Sequence, residues 1–97
     1  MKLVIIKAAR ADIWEINEYL FEFGEKPLNK FRESFEKFCS QVSDMPYRFI
    51  QYEQNPKYRK AVIAFGYLVF YRVDSAGSMV KIYRVLHGRR NMEPLLE

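Results

Sequence analysis

The sequence contains few residues that could bind a metal or form a disulfide. It has one cysteine, Cys39, and one histidine, His87. These two cannot supply the three or four ligands of a zinc site, and a single cysteine forms no disulfide within the chain. We therefore predict a reduced, cytoplasmic protein with no metal and no other cofactor. Cys39 follows Phe38 on a predicted helix, where a buried structural thiol is expected.

Long apolar runs and the common catalytic motifs are also absent. No apolar stretch approaches the roughly 18–20 residues of a membrane span, and the opening Met1–Lys7 segment is too short for a signal peptide. The chain has no Walker loop, no dinucleotide-binding glycine motif and no Ser–His–Asp pattern. Its 97 residues predict a single domain, 1–97, and a 49% hydrophobic composition predicts a packed core.

Positive charge is concentrated in the second half of the chain. Residues 9–45 contain five basic and eight acidic side chains, whereas residues 46–97 contain nine basic and four acidic ones, for a net charge of +5 there. Such asymmetry favours an acidic partner for one face. Ordinary solubility charge would give the same total of +4 for the whole chain.

Two helices follow a first strand at Leu3–Lys7. Apolar residues recur at helical spacing over 9–23 and again from Pro27 to about Met45. Gly24 between them suits a helix end, so the two helices are predicted to form an antiparallel hairpin. The acidic side chains of the first helix fall outside its apolar stripe. The one nearest the start of the helix is expected to interact favourably with the helix dipole. These side chains are Asp12, Glu15, Glu18 and Glu22.

Three strands are predicted after a loop over 46–57. Their ranges are Tyr58–Ala64, Tyr67–Asp74 and Met79–His87. The order is therefore βααβββ, an α+β fold in which a helical hairpin packs on one face of a small, mostly antiparallel sheet. The other face is expected to be at least partly open. The last strand is apolar on both sides, which is typical of a central strand.

Basic side chains on and after these strands are the main candidates for binding. His87, Arg89 and Arg90 lie together at the end of the last strand, where they could bind phosphates or carboxylates or could form an ordinary solvated strand end. Strand alternation places Arg59 and Lys60 on opposite faces without indicating which one faces the helices.

Three segments resemble the RelE/ParE superfamily of toxins from type II toxin–antitoxin modules. They are Tyr58–Val62, Gly66–Val73 and Ile82–Asn91, and the run RVLHGRRN within the last segment is most similar to the ParE branch. The resemblance covers nearly the whole chain and implies the same βααβββ fold. It also implies a cognate antitoxin that wraps an amphipathic, often acidic segment around the toxin. DNA contact would then be indirect, through the antitoxin, and no membrane partner is implied.

The two branches of the superfamily imply different activities. ParE-like members inhibit DNA gyrase by binding it, whereas RelE-like members cleave mRNA on the ribosome without a metal. The nuclease pattern has an arginine and a tyrosine where this sequence has Leu68 and Leu96, and only Arg59 matches its two lysines, because Ala61 replaces the other. Arg90 does match. Loss of groups that stabilise the reacting phosphate disfavours cleavage, so the resemblance favours gyrase inhibition.

Two alternatives stay open. One is a ribosome-dependent endoribonuclease that uses His87 with Arg84, Arg89, Arg90 and Arg59. The other is a degenerate toxin that only binds its antitoxin. For the binding function, the residues expected to contact partners are Arg59, Lys60, Arg72, Arg84, His87, Arg89 and Arg90.

Overall fold

The computed structural model describes residues 1–89 and 95–96. In chain order, its elements are β1 (Lys2–Ile5), α1 (Lys7–Phe21), α2 (Glu25–Asp44), β2 (Arg59–Val62), a short 3-10 turn (Ala64–Gly66), β3 (Tyr67–Asp74) and β4 (Met79–His87). The predicted βααβββ order and the α+β class are confirmed. Among the described residues, neither helix is both long enough and apolar enough to cross a lipid bilayer.

The two helices form the predicted hairpin on one face of the sheet. Gly24 connects them with φ 103° and ψ 178°, a region of backbone space that is essentially restricted to glycine. Each helix turns an apolar stripe toward the sheet, because residues three and four apart share a face. The buried apolar residues of the stripes are Ala9, Ile16 and Leu20 on α1 and Phe31, Phe38 and Val42 on α2.

The sheet has the order β1-β4-β3-β2. β4 pairs in parallel with β1 and antiparallel with β3, so it is central as predicted. Between Phe70 and Tyr71 the register of β3 on β4 shifts by one residue, since Phe70 lies opposite Arg84 whereas Tyr71 lies opposite Ile82. Tyr83 is the extra residue of a β-bulge. This bulge decides which face each basic side chain of β4 occupies.

The main core lies between the helices and the sheet. Tyr71 on β3 is fully buried there, packs edge-on against Phe38, and donates a hydrogen bond through its hydroxyl to the carbonyl of Pro46 at 2.9 Å. The loop before β2 closes one end of this core, because Phe49 packs against both rings. The loop therefore covers the sheet edge through Phe49, while Tyr47 stays exposed.

Candidate partner-binding surfaces

Cationic and aromatic side chains alternate on the sheet face opposite the helices, which we call the outer face. The pairing of β2, β3 and β4 places Lys60, Arg72 and Lys81 on it. The Arg72 guanidinium lies over two phenol rings, 5.9 Å from the centroid of Tyr58 and 5.4 Å from that of Tyr83. Cations held over aromatic rings stay accessible while their stems pack. The outer face therefore presents positive charge on a fixed aromatic base.

One end of the outer face is covered by a small second core rather than being open. Its buried members are Tyr52, Tyr58, Phe70, Leu86 and Leu96, and Leu68, Tyr83 and Leu95 pack partly buried against it. We call this group the outer cluster. The Tyr58 hydroxyl donates a hydrogen bond to the carbonyl of Leu96 at 2.6 Å, which holds Leu96 against the sheet. Leu68 and Leu96 thus lie in one hydrocarbon environment.

Arg84 is engaged in a network within the chain. Its Nε and Nη2 donate to the two carboxylate oxygens of Asp12 at 2.7 and 2.8 Å, and its Nη1 donates to the carbonyl of Leu95 at 3.1 Å. The hydrogen bond to Asp12 raises the pKa of Arg84 above its usual value, against the lowering effect of burial. The Val85 N–H also donates to Asp12, at 2.9 Å. Sequence periodicity placed Asp12 outside the apolar face, and this interpretation was wrong, since the side chain is buried.

Arg59 lies away from the outer face. It pairs with Tyr71 in the sheet register, so its side chain is on the helix side, at the edge that the loop covers. Its Nη1 donates to the carbonyl of Phe49 at 2.7 Å, and the guanidinium lies 5.1 Å from the ring centroid of Tyr47. Arg59 and Lys60 therefore serve different surfaces, as strand alternation requires.

His87 and Arg89 lie at the far end of β4, next to α1. The imidazole packs edge-on against Tyr67 with ring centroids 5.3 Å apart, and its Nδ1 accepts a long hydrogen bond from the Arg89 N–H at 3.4 Å. Burial, and then the neighbouring phenol of Tyr19, raise the pKa of Tyr67, so this phenol stays neutral. Arg90, the remaining predicted residue, lies outside the described residues.

The predicted basic set is therefore divided among several places. Lys60 and Arg72 share the outer face, His87 and Arg89 share the end of β4, and Arg84 and Arg59 are bonded within the fold. Within residues 1–89 and 95–96, no cluster of three or more potential metal ligands occurs. Sequence reasoning missed the aromatic side chains around His87, which come from α1, the 3-10 turn and β3. Their spacing in the chain gave no signal because they meet only in the folded protein.

Comparison with known proteins agrees with this geometry. The model of the family described as "ParE toxin of type II toxin-antitoxin system, parDE" matches residues 3–92. The chain belongs to the ParE toxin family. A solved structure of the chromosomal ParDE toxin–antitoxin system from P. aeruginosa is similar to this ParE-family chain, with a TM-score of 0.63 and 17% sequence identity, over 90% of this chain and 95% of the other. No curated protein sequence matches the chain.

Membership of the ParE family gives the basic and aromatic surfaces a context. The family's toxins are encoded in pairs with an antitoxin, so a toxin of this family is expected to have a surface that a second protein covers. In this ParE-family chain, the outer face and the end of β4 both combine accessible cations with aromatic rings. Aromatic and arginine side chains are enriched at protein–protein interfaces.

Proposed function

We propose that this chain is a toxin that inhibits DNA gyrase by binding it, and that a cognate antitoxin neutralises it by binding the toxin in turn. We place this activity in the cytoplasm. The observation that carries the proposal is the position of Leu68 and Leu96 in the outer cluster. These are the positions at which the ribonuclease branch of the superfamily carries an arginine and a tyrosine.

Hydrocarbon at those two positions disfavours RNA cleavage. A cleaving enzyme must stabilise the extra negative charge that develops on the phosphate, and preorganised cations and hydrogen-bond donors provide most of that stabilisation. Leu96 is buried against the rings of the outer cluster, and Leu68 packs on the same cluster. Neither side chain can donate a hydrogen bond or carry charge, so the site is suited to contact rather than to catalysis.

Two of the arginines proposed for a nuclease are occupied as well. Arg84 uses three guanidinium nitrogens on Asp12 and on the Leu95 carbonyl, and Arg59 donates to the Phe49 carbonyl. To bind a phosphate, Arg84 would have to break bonds to Asp12 or to the Leu95 carbonyl, whereas Arg59 is engaged through Nη1 alone. Breaking a buried ion pair costs several kcal/mol, so Arg84, which is paired with Asp12, is poorly placed to bind a substrate.

A supercoiling assay with purified gyrase tests the proposal. Micromolar chain is expected to inhibit ATP-dependent supercoiling of relaxed plasmid, and an equimolar amount of the cognate antitoxin is expected to restore it. The chain unfolded by heat serves as the control for nonspecific inhibition. Full supercoiling activity at micromolar chain would refute gyrase inhibition.

Cleavage of mRNA is the second candidate function, and the pairing of His87 with Tyr67 is the observation that favours it. An imidazole and a phenol in contact are a possible acid–base pair, with Arg89 close by. Primer extension on translated mRNA would show cuts in the ribosomal A site that disappear in His87→Ala. We expect intact transcripts with both proteins. Antitoxin binding without growth arrest would instead identify a degenerate toxin.

A further inference from the structure

Five aromatic rings surround a cavity at the tip of the helical hairpin. The cavity has a volume of about 310 Å³. Its rings come from the end of the first helix, the 3-10 turn and the ends of two strands: Tyr19 on α1, Phe23 just after α1, Phe65 in the turn, Tyr67 on β3 and His87 on β4. We call this site the aromatic cage. Because the three groups 19–23, 65–67 and 87 are far apart in sequence, only the fold brings them together.

The backbone conformation of Phe65 supports a functional role for the cage. Its φ is +62°, a left-handed conformation that bulky side chains rarely adopt. Two hydrogen bonds hold the backbone around Phe65, from Ala64 N to the Ser34 hydroxyl and from Ile63 N to the Tyr67 carbonyl. Yet the Phe65 side chain is 42% exposed, so burial in the core does not compensate for the strain. Backbone strain at an exposed aromatic residue is typical of a functional position.

The size and walls of the cage indicate what it accepts. A dry cavity of about 150 Å³ lined by apolar side chains is enough to bind benzene, so about 310 Å³ has room for a bicyclic ring. Tyr19 and Phe23 are both more than half exposed and pack edge-on against each other, which leaves the cage open to solvent. An aromatic side chain inserted from another protein would bury these rings and its own apolar surface together.

The charged side chains near the cage indicate which kind of residue would lie beside the inserted aromatic side chain. Lys30 extends over the Phe65 ring with its Nζ 5.4 Å from the centroid, and Arg89 follows His87 by two residues. Within the part of the chain that the structure describes, neither cation takes part in an ion pair. A partner segment that carries a carboxylate beside its aromatic anchor would complement both the cage and these cations.

We propose that the aromatic cage receives one aromatic anchor side chain, flanked by a carboxylate, from the cognate antitoxin. This rests on the proposed function, since it needs an antitoxin that binds the chain. The anchor inserts among the five rings, and its acidic neighbour pairs with Lys30 at the edge formed by Phe65. The contact is a binding hot spot, because a buried aromatic anchor in a fitted pocket supplies a large share of interface energy.

Titration of the antitoxin against single variants tests the proposal. Phe65→Asn keeps a residue that tolerates the left-handed conformation but removes the ring, so affinity is expected to fall by about thirtyfold or more while the melting temperature does not fall. Phe65→Tyr keeps the ring and is expected to bind within about twofold of wild type. Phe21→Ala is the matched control, because Phe21 is an exposed phenylalanine at the end of α1 that does not line the cage.

The possible outcomes separate this proposal from the proposed function. Antitoxin affinity unchanged in Phe65→Asn, or reduced equally in Phe21→Ala, would overturn the cage while leaving neutralisation intact. Loss of gyrase inhibition in Phe65→Asn with full antitoxin affinity would assign the cage to gyrase and also overturn the proposal. An antitoxin that does not bind even wild type would refute neutralisation itself.

A small-molecule probe supplies a test that needs no antitoxin. Millimolar indole is expected to shift the backbone amide signals of Gly66, Tyr67 and His87 in wild-type protein, because these residues border the cage. The shifts are expected to be lost in Phe65→Asn and kept in Phe21→Ala. Absence of these shifts in the wild-type spectrum would show that the cage does not accept an aromatic ring, and the proposal would fail.

Discussion

Asp12 joins three parts of the chain through a single carboxylate. It accepts hydrogen bonds from Arg84 on β4 and from the backbone of Val85, and Arg84 also holds the carbonyl of Leu95. The Asp12 side chain is 8% exposed and that of Arg84 is 20% exposed. Water therefore cannot fully replace either partner if the other is lost. Asp12 and Arg84 therefore connect α1, β4 and Leu95.

Asp12→Ala is expected to lower the free energy of unfolding by about 3 kcal/mol, because it leaves the Arg84 charge and the Val85 N–H without their acceptor. Urea unfolding followed by circular dichroism measures the change. Glu18→Ala, at an exposed position of the same helix, is the matched control and is expected to stay within about 0.5 kcal/mol of wild type. Equal unfolding midpoints for Asp12→Ala and wild type would contradict the role of the pair.

Ionisation of Cys39 is expected to make the free energy of unfolding depend on pH in the alkaline range. Burial, helped by the nearby charge of Glu36, raises the pKa of this thiol to about 11 from 9.0. Between these values the native protein keeps a proton that the unfolded chain releases, so the free energy of unfolding falls as pH rises from about 9 toward 11. We expect this fall to be smaller in Cys39→Ala, measured by urea unfolding at pH 8 and pH 10. Equal falls in both proteins would show that the thiol does not titrate this way.

The surroundings of these two residues differ in how far they could be predicted. The position of Cys39 on the second helix follows from local periodicity, although the side chain is only half-buried. The burial of Asp12 depends on β4, 72 residues later in the chain. β1 ends at Ile5, opposite Ile82, so Val85 has no strand partner on that side and takes the carboxylate instead. No pattern within one element contains this information.

The helical hairpin is defined most sharply at Gly24. Its φ of 103° and ψ of 178° are unfavourable for any residue with a side chain, and no atom beyond its two chain neighbours lies within 4 Å of the place where a Cβ would be built. The glycine is therefore needed for the conformation of the backbone and not for space. An unusual backbone conformation and a lack of space for a side chain often occur together at a glycine, and only the first applies to Gly24.

Gly24→Ala is expected to lower the free energy of unfolding by about 1–2 kcal/mol, because alanine cannot adopt this conformation without strain. Asparagine, which often replaces glycine at left-handed positions with ψ near 45°, is expected to be no better here. Thermal unfolding of both variants checks this. A melting temperature of Gly24→Ala equal to or above that of wild type would mean that the hairpin connection relaxes freely.

The type and order of the helices and strands were predictable from the sequence, and their first and last residues were less predictable. β3 and β4 have the predicted bounds because turn residues mark both of their ends. The first helix was predicted over 9–23 and extends over Lys7–Phe21, since Ile6 precedes it with no side-chain cap to mark the start. The strand predicted over Tyr58–Ala64 is shorter, Arg59–Val62, because the 3-10 turn begins at Ala64.

At the scale of the whole molecule, the excess of positive charge lies in residues 46–97, whose strands form the outer face, whereas residues 9–45, which include most of the helical hairpin, contain more acidic than basic side chains. We expect the double change Lys60→Glu and Arg72→Glu to slow association with an acidic antitoxin about tenfold at low salt, with a smaller effect at high salt. Stopped-flow mixing measures the rate. The matched control, Arg32→Glu with Lys37→Glu on exposed positions of α2, is expected to change it far less. Equal slowing by both pairs would reflect net charge alone.

The candidate surfaces were only partly predictable at this scale. Composition correctly indicated a basic second half, and the resemblance indicated the family. The faces taken by Arg84 and His87 depend on the bulge at Tyr83, because one extra residue exchanges the faces of all the side chains that follow it. A bulge has no reliable signature in a single sequence, so neither the face taken by Arg84 nor the assembly of the aromatic cage around His87 could be foreseen.

Trp14, the only tryptophan of the chain, is 68% exposed on α1. Its indole is already largely hydrated in the native state, so denaturation should scarcely change its emission maximum. Ultraviolet fluorescence is therefore a poor indicator of unfolding for this protein. The same property makes it a sensitive optical reporter of docking at the helical hairpin, because any molecule that covers the ring would move its emission toward the blue without introducing a label.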